Sequence, residues 1–493
     1  MLGVIALDAG DGVAARRYLE AALAAMPEHP VVVNALGCAM RLTGDVEAAR
    51  ATFARAGALG SIDGWRNLAG LESSAKNSDA SIAAYERALR LTPGDVTSHA
   101  QLARLFEARH DLMRAKQHAT AALRVDATNA IAGAALARVL VREESYVAAE
   151  TAAAVVARAP KTSREDRATA LSLIGDARDL KGDARGAFKA FTAANQVLLA
   201  DHAVLRDDAT HAYHPVGVRA MTAMVAHTDV AAWPNPVAFE TPAPVFLIGF
   251  PRSGTTLLDQ ILSSHSNITC LEEKEHLSAA LLAMFKRGVL LDGIAALTDT
   301  EIAKVRSEYW QAVHADTTLP PGTLIIDKLP LNIVVLPLIK AVFPDAKIIL
   351  ALRDPRDVVL SCFQQRFSLN VGMAQFLELS SAAAYYDVVM TLLELCRERL
   401  AFDLHQVRYE DVVADLETQA RALTDFLGVP FEGAMLSYRE TALKRDIATP
   451  SARQVIQPLY TRSISRWRRY AEDMAPALPV LNQWAARFGY DVV

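Results

Sequence analysis

A set of small and large apolar residues returns at intervals of 32 to 34 positions through the first 195 or so residues, and no other feature restricts the fold as tightly. Leu36-Gly37, Met40, Ala49, Phe53 and Ala56 reappear as Leu68-Ala69, Glu72, Ser81, Tyr85 and Ala88. They reappear again as Leu102-Ala103, Phe106, Ala115, Ala119 and Ala122, then as Leu136-Ala137, Leu140, Ala149, Ala153 and Val156. A further copy, displaced by an insertion at 161–167, carries Ile174-Gly175, Ala187, Phe191 and Ala194. Self-similarity at a fixed period of this length marks a stacked repeat architecture. Gly10-Asp11, Gly44-Asp45 and Gly182-Asp183 supply turn signals within copies, and Pro27 and Pro93 fall at repeat ends.

The pattern resembles the tetratricopeptide repeat. That resemblance implies an all-α solenoid over residues 1–199, with about six repeats. Running the register backwards puts Gly3 and Ala15 at the small-residue positions, so the first repeat is expected to be incomplete. Either its first helix is shortened or an earlier repeat is missing ahead of Met1. Such a solenoid offers a concave groove to a peptide or protein partner and carries no chemistry of its own. Residues 200–240 lose the repeat and hold Pro215, Trp233 and Pro234, which reads as a bridging helix and linker.

From 241 to 493 the pattern changes to short apolar runs separated by longer helical stretches. The runs are Val245–Gly249, Leu324–Ile326, Lys347–Leu352 and, more weakly, Phe402–Val407. Continuous apolar strands alternating with helices predict an α/β domain whose mainly parallel sheet is covered on both faces. The net charge of −5 gives no overall basic bias, so nucleic acid is not expected as a partner. No apolar run approaches the roughly 20 residues of a membrane helix; the best, Ile333–Phe343, is interrupted by Pro337 and Lys340. Cys38, Cys270, Cys362 and Cys396 lie far apart with no CxxC pair, which suits a reducing compartment. The N-terminus lacks the basic region of a signal peptide, and the expected location is cytoplasmic.

The first run leads into Gly249-Phe-Pro-Arg-Ser-Gly254-Thr-Thr. Gly249 and Gly254 have the spacing of a nucleotide phosphate loop, in which backbone N–H groups and a helix N-terminus cradle an anion. The lysine that ATP and GTP enzymes place after the second glycine is Thr255 here, and Arg252 sits inside the loop. A triphosphate with Mg²⁺ is therefore a poor fit, and a P-loop kinase is the rival that Mg²⁺ dependence would separate.

This string resembles the 5′-phosphosulfate loop of sulfotransferases that use 3′-phosphoadenosine 5′-phosphosulfate (PAPS). The resemblance implies a P-loop-like sulfotransferase domain in which Arg252, Ser253, Gly254, Thr255 and Thr256 hold the 5′ side of the nucleotide. The family's second segment, which binds the 3′-phosphate, has its counterpart in the Lys347–Leu352 run followed by Arg353 and, eight residues on, Ser361. A fuller resemblance, from about Pro242 to the C-terminus, is to the tyrosylprotein sulfotransferases and their repeat-fused bacterial relatives. It implies that Glu273, in Cys270-Leu-Glu-Glu273, is the general base, and that Lys328, in Asp327-Lys-Leu-Pro, stabilises the departing oxygen. Tyr409 would contact the nucleotide, Ser451 would be the transition-state serine, and Arg466 a phosphate ligand. Between Lys444 and Arg469 there are seven Lys or Arg and one acid, Asp446.

The reaction so implied is sulfuryl transfer from PAPS to an acceptor hydroxyl without a metal, with Glu273, Arg252, Lys328 and Ser451 as the catalytic set. The acceptor is a peptide tyrosine, or alternatively a carbohydrate or small-molecule hydroxyl, and the repeat groove is expected to present a polypeptide acceptor. A repeat-based adaptor with an inactive second half is the remaining alternative. Two positions depart from the tyrosylprotein pattern: Gln365 where those enzymes have Arg, and Lys274-Glu275 where the eukaryotic ones have Thr-Arg.

Overall fold

The computed structural model describes residues 1–233, 242–286, 294, 296–320, 322–444 and 461–492. It divides into two compact units, Met1–Val197 and Leu198–Val493. Twelve helices build the first unit: α1 (Leu2–Asp8), α2 (Gly12–Ala25), α3 (Pro30–Leu42), α4 (Val46–Ala58), α5 (Ile62–Ser74), α6 (Ser78–Leu91), α7 (Val96–Ala108), α8 (Leu112–Val125), α9 (Ala130–Arg142), α10 (Tyr146–Arg158), α11 (Arg164–Lys181) and α12 (Ala184–Arg206). They pair as six helical hairpins, and α1 is about half the length of its counterparts.

The recurring residues pack as their sizes require. Ala49, Phe53 and Ala56 are fully buried, and so are Ala115, Ala119 and Ala122. Gly37 faces the Phe53 ring so closely that a Cβ would lie 2.6 Å from it, and Gly175 stands in the same relation to Phe191. A side chain there would force the two helices apart. The turn between paired helices puts one residue in the left-handed region, with φ +81° at Gly44 and +98° at Gly182. Lys76, His110 and Glu144 take the same place with φ of 59°, 62° and 57°. Turn signals were therefore legible only where glycine fills that place.

The second unit opens with α13 (Pro215–His227), which buries Val218, Met221, Met224 and Val225. It packs on a long helix further along the chain, where Arg399 donates to the carbonyls of Val225 and Thr228. The stretch expected as a linker thus contributes to the core of this unit, because its apolar residues recur at helical spacing. No helix among the described residues is long and apolar enough to cross a membrane.

A five-stranded, wholly parallel sheet forms the centre of the second unit. Its strands are β1 (Val245–Gly249), β2 (Ile268–Glu272), β3 (Leu324–Lys328), β4 (Lys347–Leu352) and β5 (Asp403–Arg408), in the order β2-β3-β1-β4-β5. All of β1 is buried, as its apolar run requires. The intervening helices are α14 (Thr255–Leu262), α15 (Ser278–Lys286), α16 (Asp299–Asp316), α17 (Leu336–Val342), α18 (Pro355–Gln364), α19 (Val371–Ala374) and α20 (Leu379–Arg399). The Ile333–Phe343 run is buried core against this sheet. Strand order reverses on the two sides of β1, so the carboxyl ends of the strands frame a crevice of the kind that binds ligands in open α/β sheets.

Candidate active site

Each of the five strands delivers a site residue at or just past its carboxyl end: the Gly249–Gly254 loop after β1, Glu273 after β2, Lys328 as the last residue of β3, Arg353 after β4 and Tyr409 after β5. The loop after β1 is shaped by close backbone approach. A Cβ at Gly249 would lie 2.7 Å from the Ala351 carbonyl oxygen, and one at Gly254, where φ is +100°, would lie 2.9 Å from the Tyr409 ring. Arg252 also takes a positive φ, 72°. Ser253, Thr255 and Thr256 are buried where α14 begins.

One cluster joins β1, β4 and β5. The Arg252 Nε donates to Ser361 Oγ at 3.0 Å. Arg353 is buried; its Nη1 donates to the Arg252 carbonyl at 3.2 Å and its Nη2 to the Ser463 carbonyl at 2.6 Å. Its guanidinium lies 4.9 Å from the Tyr409 ring centroid, and the Tyr409 hydroxyl shares a 2.9 Å hydrogen bond with Ser463 Oγ. The buried Arg353 Nε has no hydrogen-bond partner among the described residues. A donor left in this state costs stability unless something accepts from it, which fits a cleft made for an anion. Arg252, Arg353, Ser361 and Tyr409 thus lie in contact as one set.

The second cluster joins β2, β3 and α14. Lys328 is fully buried, and its Nζ lies 3.0 Å from Glu273 Oε1, 3.9 Å from Asp259 Oδ2 and 4.0 Å from Glu272 Oε1. Glu273 has φ +47°, and its amide donates to the Lys328 carbonyl at 2.8 Å. Asp259, fully buried on α14, accepts from Ser263 Oγ at 3.1 Å. Sequence reasoning did not single out Asp259. The available signal was a charged residue one step past the apolar pair Leu257-Leu258, on the side of α14 that faces the sheet.

Arg466 lies in a short 3-10 turn, Arg466–Tyr470, three residues beyond Ser463. Ser451 lies outside the described residues. The same turn is held by Asp357 on α18, whose Oδ1 accepts from the Trp467 amide at 2.8 Å. Arg356 is clamped beside it: both Asp354 oxygens accept from it, and its guanidinium sits 4.2 Å from the Trp467 ring centroid. Burial pushes the Asp357 carboxyl up to about 6, against the lowering influence of Arg353 and the Trp467 amide.

A carboxyl so raised contributes stability that is complete below the ordinary aspartate value and is lost as pH rises through about 6. Asp357→Asn keeps an oxygen for the Trp467 amide and removes that loss. We expect it to unfold at higher temperature than the wild type at pH 7.5, by an amount worth roughly 1–3 kcal/mol. The two should coincide near pH 4. Paired melts across this range check it, and a constant difference at every pH would refute it.

Comparison with known proteins agrees with this architecture. Residues 244–433 match the sulfotransferase family, and residues 6–60 match the tetratricopeptide repeat. The first unit is thus similar to tetratricopeptide-repeat proteins, and the second unit to the sulfotransferase family. Among individual relatives, an uncharacterized protein of Aquifex aeolicus (strain VF5) is 29% identical over 250 residues, 49% of this chain and 32% of that protein. Protein-tyrosine sulfotransferase 1 of Danio rerio is 29% identical over 266 residues, 50% of this chain and 72% of the fish protein. Of solved structures, the sulfotransferase domain of the Synechococcus PCC 7002 olefin synthase covers 53% of this chain and 99% of that domain, at 24% identity and a TM-score of 0.37. The Aquifex match spans about a third of its partner's length.

Proposed function

We propose that the second unit transfers a sulfuryl group from PAPS to an acceptor hydroxyl. The observation that carries this reading is the arrival of Arg252, Glu273, Lys328, Arg353 and Tyr409 at the carboxyl ends of five parallel strands. Arg353, Ser361 and Arg466 would hold the 3′-phosphate side, and the Ser253–Thr256 backbone and hydroxyls the 5′ side. In the reaction, the acceptor oxygen forms a new bond to sulfur while the bridging S–O bond to phosphate breaks. The acceptor proton passes to Glu273, and adenosine 3′,5′-bisphosphate leaves. Arg252 and Lys328, with Ser451 as their expected companion, offset the charge that grows on the bridging oxygen, so positioning and electrostatics carry the rate.

The acceptor we favour is a tyrosine hydroxyl in a polypeptide presented by the repeats. The Danio rerio relative bears the name of a protein-tyrosine sulfotransferase, which supports that choice. Gln365 and the Lys274-Glu275 pair, where tyrosylprotein enzymes differ, keep a carbohydrate or small-molecule hydroxyl as the second reading. In this structure Gln365 donates to the Arg366 carbonyl, and Lys274 pairs with Asp316 at 3.4 Å.

Adenosine 3′,5′-bisphosphate should raise the melting temperature, and ATP with Mg²⁺ should do so far less. A ligand that binds only the folded state adds roughly 2.7 kcal/mol at about 100 times its dissociation constant. Arg353→Ala should selectively weaken the 3′-phosphorylated nucleotide relative to its dephosphorylated analogue. Equal shifts from both nucleotides would defeat the PAPS reading, and so would an inert protein, which would favour the adaptor.

A further inference from the structure

The short loop from Glu273 to Leu277 leaves β2 and carries the proposed base, yet the base has a positive φ and, among the described residues, is held through Lys328 on β3. What else fixes the loop is His276. Its side chain is 4% exposed. The Nε2 meets Asp316 Oδ2, at the end of α16, at 2.9 Å. The Nδ1 faces Asp327 Oδ2 at 3.9 Å and makes no hydrogen bond of its own.

Asp327 is the residue before Lys328 on β3 and is itself tightly held. Tyr309 Oη donates to it at 3.0 Å and Asn332 Nδ2 at 3.3 Å. The Tyr309 ring also meets the imidazole edge-on at 5.8 Å between centroids. On its outer side, Asp316 takes a second cation, Lys274. Among the described residues the charged groups facing His276 are therefore Asp316 from α16 and Asp327 from β3, with Lys274 reaching it through Asp316.

We propose that His276 is a positioning residue: its imidazolium, held between Asp316 and Asp327, fastens the Glu273-bearing loop to β3 and so keeps the base beside Lys328. Two carboxylates around one ring favour the form with both nitrogens protonated, each able to donate. Burial opposes that charge, but the negative charges of Asp327 and Asp316, with the Asp316 hydrogen bond, outweigh it and raise the imidazole above its ordinary value. The fastening is complete below the ordinary histidine value and is lost as pH rises through the folded one. The catalytic half of the inference rests on Glu273 being the base.

Amide hydrogen exchange at residues 273–277 in the full chain tests the fastening without any substrate. Protection in the wild type should be greatest at mildly acidic pH and decline above neutrality. His276→Gln should exchange faster in acid, by about tenfold for each pKa unit by which the pocket raises the imidazole, and should lose the pH dependence. His276→Lys should restore protection by returning a cation to the two carboxylates. Asp316→Asn, at the surface, should give part of the effect and serves if His276→Gln folds poorly. With a verified acceptor, His276→Gln should lower kcat while leaving the KM for PAPS unchanged. Protection that is identical in wild type, His276→Gln and Asp316→Asn overturns the proposal. If protection falls but turnover holds, and Glu273→Gln is also silent, the fastening stands and the assignment of the base fails.

Discussion

Glu273→Gln should lower turnover on a verified acceptor by on the order of 10² to 10⁴, the usual contribution of a positioned general base. An acceptor hydroxyl is a weak nucleophile at neutral pH, so the transition state needs somewhere for its proton to go. The amide keeps the size of the side chain and an oxygen for Lys328 Nζ, now 3.0 Å from Glu273 Oε1. It also leaves the Glu273 amide on the Lys328 carbonyl. Loop and lysine should therefore stay in place, and binding of adenosine 3′,5′-bisphosphate should hardly change. Glu272→Gln and Glu275→Gln, which delete neighbouring acids, should have much smaller effects. Steady-state kinetics alongside nucleotide titration separate these outcomes. Near-normal turnover in Glu273→Gln would move the search for the base elsewhere.

Lys328→Met should damage the fold as well as the reaction. Removing a fully buried ammonium leaves Asp259, Glu272 and Glu273 facing the same small volume, with Asp259 wholly shut off from water. Deleting one partner of a buried ionic cluster typically costs about 3–5 kcal/mol, because the charge left behind is uncompensated. The loss should sit at the lower end, since the Glu273 side chain is 31% exposed and can turn to solvent. Urea unfolding at neutral pH measures the cost. Adding Asp259→Asn should recover part of the neutral-pH loss, and a double variant as unstable as Lys328→Met would show that the charges are not coupled.

How much was legible follows from how local each signal is. The strands β1, β3 and β4 announced themselves because a strand buried on both faces is apolar at nearly every position, whereas β5, at the sheet edge with only Val407 buried, showed more weakly. The β2 strand did not: Ile268-Thr-Cys-Leu-Glu lies at the sheet edge, with only Ile268 and Leu271 buried. Its two buried positions are three apart, so no alternation marks it as a strand. The helix α13 falls in the stretch read as a bridging helix and linker; its packing into the second unit was not read from the sequence, although Val218, Met221 and Val225 have helical spacing. Arg252, Arg353, Ser361 and Tyr409 were proposed from a resemblance to family segments that follow strands, and the structure brings them within contact of one another.

The chain's own order of residues determined the repeat register, the strand–loop–helix at Gly249–Gly254 and the absence of a lysine after it, since these depend on neighbours a few positions apart. Only the tertiary structure decided what surrounds Lys328 and how the base is held. Asp259 reaches that lysine from α14, His276 meets Asp316 forty residues on, and Trp467 meets Asp357 across 110 residues. A buried charge takes its meaning from its counter-charges, and those come from whichever strand ends the sheet order places side by side.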